Sequence, residues 1–353
     1  MLPGKKTEMS NPELPGYELL ERLPGVGVWN VFKARQLSLN RMVIVKFLPA
    51  ALLEDEGDSK PFIFETRRVA LIKHPNIVQI YDFGRTGGHY FSVIEFVDGF
   101  SLAAWINKAK FLPSHTALLV TEGVAKALAF AWDKAGVTHG AIKPSNVLVD
   151  ADGTIKVTDF GLSATMRMIR QKESGMPASA NPIFLNYTAP EHRGGLEEAD
   201  CRGDIYALGA LLYHMISGQV PPLDAPAGAE PDALAVAPNV PPEAVRLIRK
   251  FMAQDRENRP GDWKDTLQDI LRVKSGNQPY GNPPPGTEAP AAAPAAAPPK
   301  LSTVSVIVKA EPMVTAAPAD KAAYARLAAK AAAVFMAALG RQWSRLLQQS
   351  RIQ

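Results

Sequence analysis

Between Val137 and Gly161 the chain reads VTHGAIKPSNVLVDADGTIKVTDFG, and Lys143, Asn146 and Asp159 stand there between apolar pairs. An amide and a carboxylate supply oxygens, and a lysine supplies a compact positive charge. Groups of these kinds hold charged ligands. Taken singly, each would read as an ordinary surface residue. Their frame gives them weight: the flanking apolar pairs predict two short strands with tight turns, so the polar groups fall at strand ends and turns.

The elements that must position them follow from periodicity. From Tyr17 to about Phe47, runs such as VWNVFKA and RMVIVKFL alternate with turn residues and predict antiparallel strands. Ser59–Lys73 has Phe62, Ile63, Val69 and Ile72 at helical spacing, and His74-Pro75-Asn76 ends it. IVQIYDF and HYFSVIEFV predict two more strands around Thr86-Gly87-Gly88. Beyond Asp98-Gly99 the pattern turns helical: Leu102–Lys108, then Ser114–Ala135 with Ser114 as its N-cap. An irregular segment (Leu162–Tyr187) precedes helices at Asp204–Ser217, Pro242–Gln254 and Asp262–Val273. Strands first and helices later predict an α+β protein of two lobes.

The bulk properties set limits. At 353 residues with 46% hydrophobic and 21% charged composition, the chain is that of a globular protein with ample core. Its net charge of +4 is unevenly spread. Residues 277–353 carry eight Lys/Arg against three Asp/Glu, and the rest is balanced, so nucleic-acid binding by the main domain is not expected. Cys201 is the single cysteine, which points to a reducing, cytoplasmic setting without an intramolecular disulfide. The N-terminal MLPGKKTEMSNPELPG has no apolar run after its lysines, so no secretory signal is expected. No stretch reaches the ~20 apolar residues of a membrane span.

Taken in order, the motifs resemble a protein kinase domain of the bacterial serine/threonine type, over residues 17–274. The resemblance rests on Lys46 in VIVK, Glu65 in FIFETRR, Asn146 in KPSN, Asp159-Phe160-Gly161, Ala189-Pro190-Glu191, the helix beginning at Asp204 and Arg259-Pro260. A lone Lys–Glu pair or D-F-G arises readily by chance; this many features in family order do not. The resemblance implies ATP gripped by Lys46, which Glu65 holds, and Mg²⁺ chelated by Asn146 and Asp159 with phosphate oxygens. It implies a nucleotide site of Val31, Ile44, Lys46, Glu65, Glu95, Val97 and Leu148, with Lys143 on the transferred phosphate. It also implies an ion pair between Glu191 and Arg259, and a stacked column of Val69, Ile80, His139, Phe160 and Asp204.

Four departures bear on catalysis. The family's His-Arg-Asp is His139-Gly140-Ala141 here. Ala141 cannot accept a substrate proton, a loss that typically costs ~10²–10⁴ in rate. Gly140 replaces the arginine that reads a phosphorylated loop, and Ile183-Phe184 replace Gly-Thr ahead of Ala-Pro-Glu. In the phosphate-covering loop Pro24, Val26 and Trp29 occupy glycine positions while Gly25 and Gly27 are out of phase, so Trp29 is expected to obstruct or cap the pocket; a shifted, serviceable loop is the alternative. Ile44 stands where a small residue lies over the adenine, an overpacking that costs ~1–3 kcal/mol.

The tail is of another kind. Residues 277–300 hold eight prolines among alanine runs and predict a semi-extended spacer. Leu301–Lys309 is β-prone, and Asp320–Ser350 predicts an Ala-rich helix. At about 100° per residue, Tyr324, Phe335, Met336, Leu339, Trp343, Leu346 and Leu347 share a face opposite Arg326, Lys330, Arg341 and Arg345. Such a helix suits an anionic membrane surface, a partner groove, or packing against its own domain or a second copy. The organisation expected is a 1–16 extension, a 17–274 kinase-like domain, a 275–300 linker and a 301–353 tail. The function expected is that of a pseudokinase: a nucleotide-responsive or scaffolding signalling module that binds protein partners. A weakly active ATP-dependent kinase, and a scaffold serving its C-terminal helix, are the alternatives.

Overall fold

The computed structural model describes residues 13–24, 29–49, 56–160, 185–193, 200–223 and 240–281. The loop glycines Gly25 and Gly27, the Ile183-Phe184 pair, the spacer beyond Gly281, the β-prone Leu301–Lys309 and the helix expected over Asp320–Ser350 lie outside them, whereas residues 275–281, expected to begin the linker, are described. The chain forms two compact units.

Among the described residues the first unit holds an antiparallel sheet and one helix. Strands β1 (Tyr17–Leu23), β2 (Asn30–Gln36), β3 (Arg41–Pro49), β4 (Ile80–Thr86) and β5 (His89–Glu95) lie in the order β1-β2-β3-β5-β4. Alternation along β3 decides which residues share a face. Val43, Val45 and Phe47 are buried with Leu14, Phe32, Ala34 and Val93 in one core. Ile44, Lys46 and Leu48 therefore point to the other side, where helix α1 (Glu56–Ala70) lays Phe62 against Trp29, Leu48 and Tyr90. The helix starts and ends three residues ahead of the expected Ser59–Lys73. Its last turn loosens into Leu71 and Ile72, whose N–H groups reach back only three residues, to Arg68 and Val69.

The second unit is mainly helical. A small sheet of β6 (Gly99–Ser101), β7 (Val147–Asp150) and β8 (Ile155–Val157) accompanies α2 (Leu102–Ala109) and α3 (Ser114–Ala135). Ser114 is not the cap of α3. The carbonyl of Pro113 takes the first intrahelical bond, from Ala117, so Pro113 is the cap and Ser114 is already helical. The helix closes on Gly136 in the left-handed region at φ 56°, where a side chain would be strained.

Among the described residues four further helices follow: α4 (Pro190–Arg193), α5 (Cys201–Ser217), α6 (Pro242–Phe251) and α7 (Trp263–Lys274). The apolar α5 begins three residues before the expected Asp204, because the Asp200 carboxylate caps it through the Arg202 N–H at 2.8 Å. Helix α6 stops at Phe251, short of Gln254. Past α7 the chain doubles back: buried Asp269 takes the Tyr280 N–H at 2.6 Å and the Lys250 ammonium at 2.6 Å, and Arg272 donates to the Gln278 carbonyl. Among the described residues no helix is long and apolar enough to cross a membrane.

Candidate functional site

In the second unit the site is built around a buried carboxylate. Asp204, in the first turn of α5, accepts the backbone N–H of His139 and of Gly140, each at 2.6 Å. Gly140 meets this bond at φ 65°, a conformation glycine adopts without a Cβ penalty. The His139 ring is fully buried, and its surroundings settle its tautomer. Nδ1 lies 3.2 Å from the Ala141 N–H and must accept, so Nε2 carries the proton and donates to the Thr158 carbonyl at 2.9 Å. Burial pushes the imidazole below its ordinary range, against the pull of the Asp204 carboxylate. Burial likewise raises the Asp204 carboxyl, against His139 and the two N–H bonds.

The same frame carries the oxygen donors. Asn146 is buried at the end of a 3-10 turn (Pro144–Asn146), and its amide nitrogen donates to the Ala141 carbonyl at 2.9 Å. That bond fixes the amide orientation and leaves Oδ1 as the acceptor, touched by the Ser145 hydroxyl at 3.3 Å. The backbone oxygen of Asn146 takes the Thr158 N–H at 3.0 Å, which ties this turn to the strand end beside Asp159. Asp159 holds φ 70°, an uncommon conformation for a residue with a side chain and a frequent one at functional positions. One amide oxygen and one carboxylate fit a hard cation that keeps waters and takes its other ligands from phosphate. Among the described residues no cluster of three His, Cys, Asp or Glu could hold a metal unaided. Lys143 is half-buried just before the turn, Ala141 presents a methyl group at the base position, and Leu148 and Val97 are half-buried.

In the first unit Val31 and Lys46 are cross-strand partners, as are Lys33 and Ile44, and Ile44 also faces Ile94. These residues share the face that bears α1. Two expectations change here. Trp29, expected to stand at the pocket, is 9% exposed and packs on Phe62 of α1, with ring centroids 6.4 Å apart. Trp29 stands just ahead of β2 and is buried in one cluster with Leu48, Phe62 and Tyr90. The ion pair of Glu65 is with Arg68 of its own helix, at 3.4 Å, rather than with Lys46. The two residues lie one turn apart on one side of α1, which makes this pairing locally accessible. Glu95 closes its strand by accepting the Gln79 N–H on its side chain at 3.2 Å and donating its own N–H to the Gln79 carbonyl at 2.9 Å.

The column expected from the motifs is contiguous within the second unit. The His139 and Phe160 rings lie 4.7 Å apart, and Asp204 holds the His139 backbone. Val69 and Ile80 stand on α1 and β4, which pack together in the first unit. The expected pair of Glu191 and Arg259 is present and bidentate, at 2.6 and 2.9 Å. Sequence reasoning missed Arg68 and Thr158. Arg68 was detectable as a cation three residues after Glu65; Thr158 holds His139 and Asn146 through its backbone carbonyl and N–H, which no side-chain pattern reveals.

Fold and site together define a protein kinase domain, and the chain belongs to that family: the protein kinase domain family model matches residues 25–272. Among curated proteins the chain is 34% identical over 269 residues to a probable serine/threonine-protein kinase of Clostridium perfringens, covering 73% of this chain and 38% of that protein. It is 32% identical over 267 residues to the serine/threonine-protein kinase PrkC of Bacillus subtilis, covering 72% and 40%. The chain thus matches about two-fifths of the length of these relatives. Among solved structures, the PknI kinase domain of Mycobacterium tuberculosis has the same fold, with a TM-score of 0.59 at 24% identity, over 73% of this chain and 96% of that one.

Proposed function

We propose that this kinase domain holds ATP with Mg²⁺ and acts as a nucleotide-responsive binding or scaffolding module, its phosphoryl-transfer chemistry impaired. The observation that carries the reading is Ala141. The residue at the base position has no acceptor side chain, and its carbonyl is occupied by the Asn146 amide. The holding parts remain in place around it: Asn146 is oriented, Asp159 is in its left-handed conformation, and the His139–Asp204 frame is fully bonded.

ATP would supply the phosphate oxygens that complete a cation site, and Lys46 and Lys143 the positive charges facing them. The test is thermal unfolding with ATP and Mg²⁺ beside radiolabelled phosphate transfer to itself and to a basic protein. Stabilisation without transfer supports the module. Transfer that disappears in Lys46→Met overturns it in favour of a slow serine/threonine kinase, a second reading favoured by the intact oxygen donors, since positioning carries much of phosphoryl-transfer catalysis.

Residues 319–350, whose sequence predicts a basic amphipathic helix, would add a third role, engaging a partner or an anionic membrane surface from a cytoplasmic domain. Liposome sedimentation of the chain with and without residues 319–353 tests it, and equal sedimentation of both sinks the membrane idea.

A further inference from the structure

Three strands of the first unit bring Lys33, Ile44 and Ile94 into one row. Lys33 of β2 is the direct cross-strand partner of Ile44 in β3, and Ile44 is that of Ile94 in β5. Residues directly opposite one another share a face of the sheet. Phe96 comes directly after β5, and the Lys33 ammonium stands 4.7 Å from the centroid of its ring. Since β3 lies between β2 and β5, the lysine stem crosses β3 beside Ile44 to reach that ring. Lysine suits such a path, because its methylenes cover apolar surface while the charged head stays at the rim. Lys33, Ile44 and Phe96 are all half-buried, and all belong to the first unit.

We propose that Lys33 is a specificity-determining residue: its stem forms a strap over the Ile44 face, held by Phe96, that a nucleotide base must displace to lie there. The placing of a base on Ile44 rests on the nucleotide-holding reading, while the strap is a contact within the first unit alone. A purine must move more of the stem than a pyrimidine, and a ligand without a base moves none of it. Charge acts with the opposite sign, since a cation near an anionic ligand strengthens its binding. Losing Lys33 therefore tightens ATP if the residue is a strap, and weakens ATP if it is a phosphate contact.

The experiment uses the full chain. Affinities for ATP, CTP and inorganic triphosphate, each with Mg²⁺, are measured by calorimetry in wild type, Lys33→Ala, Lys33→Arg and Phe96→Leu. ATP should bind about two- to fivefold tighter to Lys33→Ala, on the scale of a surface cation–π contact. CTP should gain less, and triphosphate should not gain. Lys33→Arg should keep the wild-type values, since a guanidinium also rests on an aromatic ring. ATP no tighter in Lys33→Ala, or an equal gain for CTP or triphosphate, overturns the proposal. Carbon-13 labelling of the lysine ε-methylenes follows the strap itself, because protons over an aromatic ring resonate upfield. One signal, identified by its loss in Lys33→Arg, should stand upfield of the other lysines. It should join them in Phe96→Leu and on adding ATP–Mg²⁺ to wild type. A Lys33 signal among the others in wild type, or one that stays upfield when ATP is bound, overturns the proposal. An upfield signal with no ligand bound by any variant supports the strap and overturns the nucleotide-holding reading instead.

Discussion

The two terminal nitrogens of Arg259 meet the two carboxylate oxygens of Glu191 at 2.6 and 2.9 Å, across 68 residues of sequence and with the Arg259 side chain fully buried. The guanidinium also donates to the carbonyls of Ala253, Arg202 and Gln254 and stands 5.0 Å from the Tyr206 ring centroid. Burial alone would raise the Glu191 carboxyl, but the bonds from Arg259 prevail and hold it below its ordinary value. Glu191→Ala should cost about 3–5 kcal/mol in urea unfolding, because it strands a buried charge with an incomplete set of acceptors. A loss below 1 kcal/mol would show that the pair is solvated in solution.

The stability of the helical unit should fall as the pH drops from 7 toward 5. Burial lowers the imidazoles of His115, His139 and His214 from the ordinary 6.5. Below 6.5 the unfolded chain gains protons that the folded one does not, so unfolding is favoured as acid is added. Asp204 acts with the opposite sign: its raised pKa contributes stability that is complete below 3.8 and fades as the pH rises through the folded value. The expected fall between pH 6.5 and 5 is the contribution of the three histidines. Urea midpoints at pH 7.5 and 5.5 should differ, and His214→Asn, which removes the partner of the Tyr187 hydroxyl, should narrow the gap.

Magnesium alone should leave the melting temperature unchanged, while magnesium with ATP should raise it. Asn146 and Asp159 offer two oxygens and no third acid joins them among the described residues, so the cation depends on the phosphates for its remaining protein-independent ligands. A shift with MgCl₂ alone would point to a metal site of different make-up.

Restoring the missing carboxylate is the sharpest chemical test. Ala141→Asp should raise phosphate transfer by about 10² over wild type, at the low end of what a positioned base supplies, because the surrounding bonds of His139, Asn146 and Asp204 are already made. Adding Lys46→Met should abolish the gain. No increase in Ala141→Asp would shift the cause of impairment to other departures, such as Ile44.

Trp29 should matter for stability more than for access. Truncating this aromatic, packed among Leu48, Phe62 and Tyr90, should cost about 3–5 kcal/mol in the sheet unit. Trp29→Phe should recover part of the loss, and calorimetry reads both.

Much of this architecture was legible in the sequence because its signals are periodic or local. Alternation along β3 and helical spacing in α1 and α5 placed the elements to within three residues. The Glu191–Arg259 pair followed from motif order. The misplaced features share a physical origin, which is competition among near-equivalent partners. Glu65 has Arg68 one turn along its own helix, and that local spacing supplies its ion pair. Trp29 had a glycine's position in the motif but a large apolar surface, and burial over α1 decided where it went. At the start of α3, Ser114 is a good capping residue, yet the Pro113 carbonyl sits at the cap position. Such choices depend on which neighbour arrives first in space, and a linear pattern does not record that.

The doubled-back segment after α7 has a practical consequence for where this domain can be cut. Asp269 is fully buried, and one of its oxygens is satisfied by the backbone of Tyr280, while Lys250 holds the other and also donates to the Tyr280 carbonyl. A chain trimmed at Lys274, where the last helix ends, would leave a carboxylate oxygen facing the interior with no donor. A chain trimmed after Gly281 keeps both donors. Seven residues that look like the start of a spacer are thus a fastening of the folded domain, and the domain runs to at least Gly281 rather than Lys274.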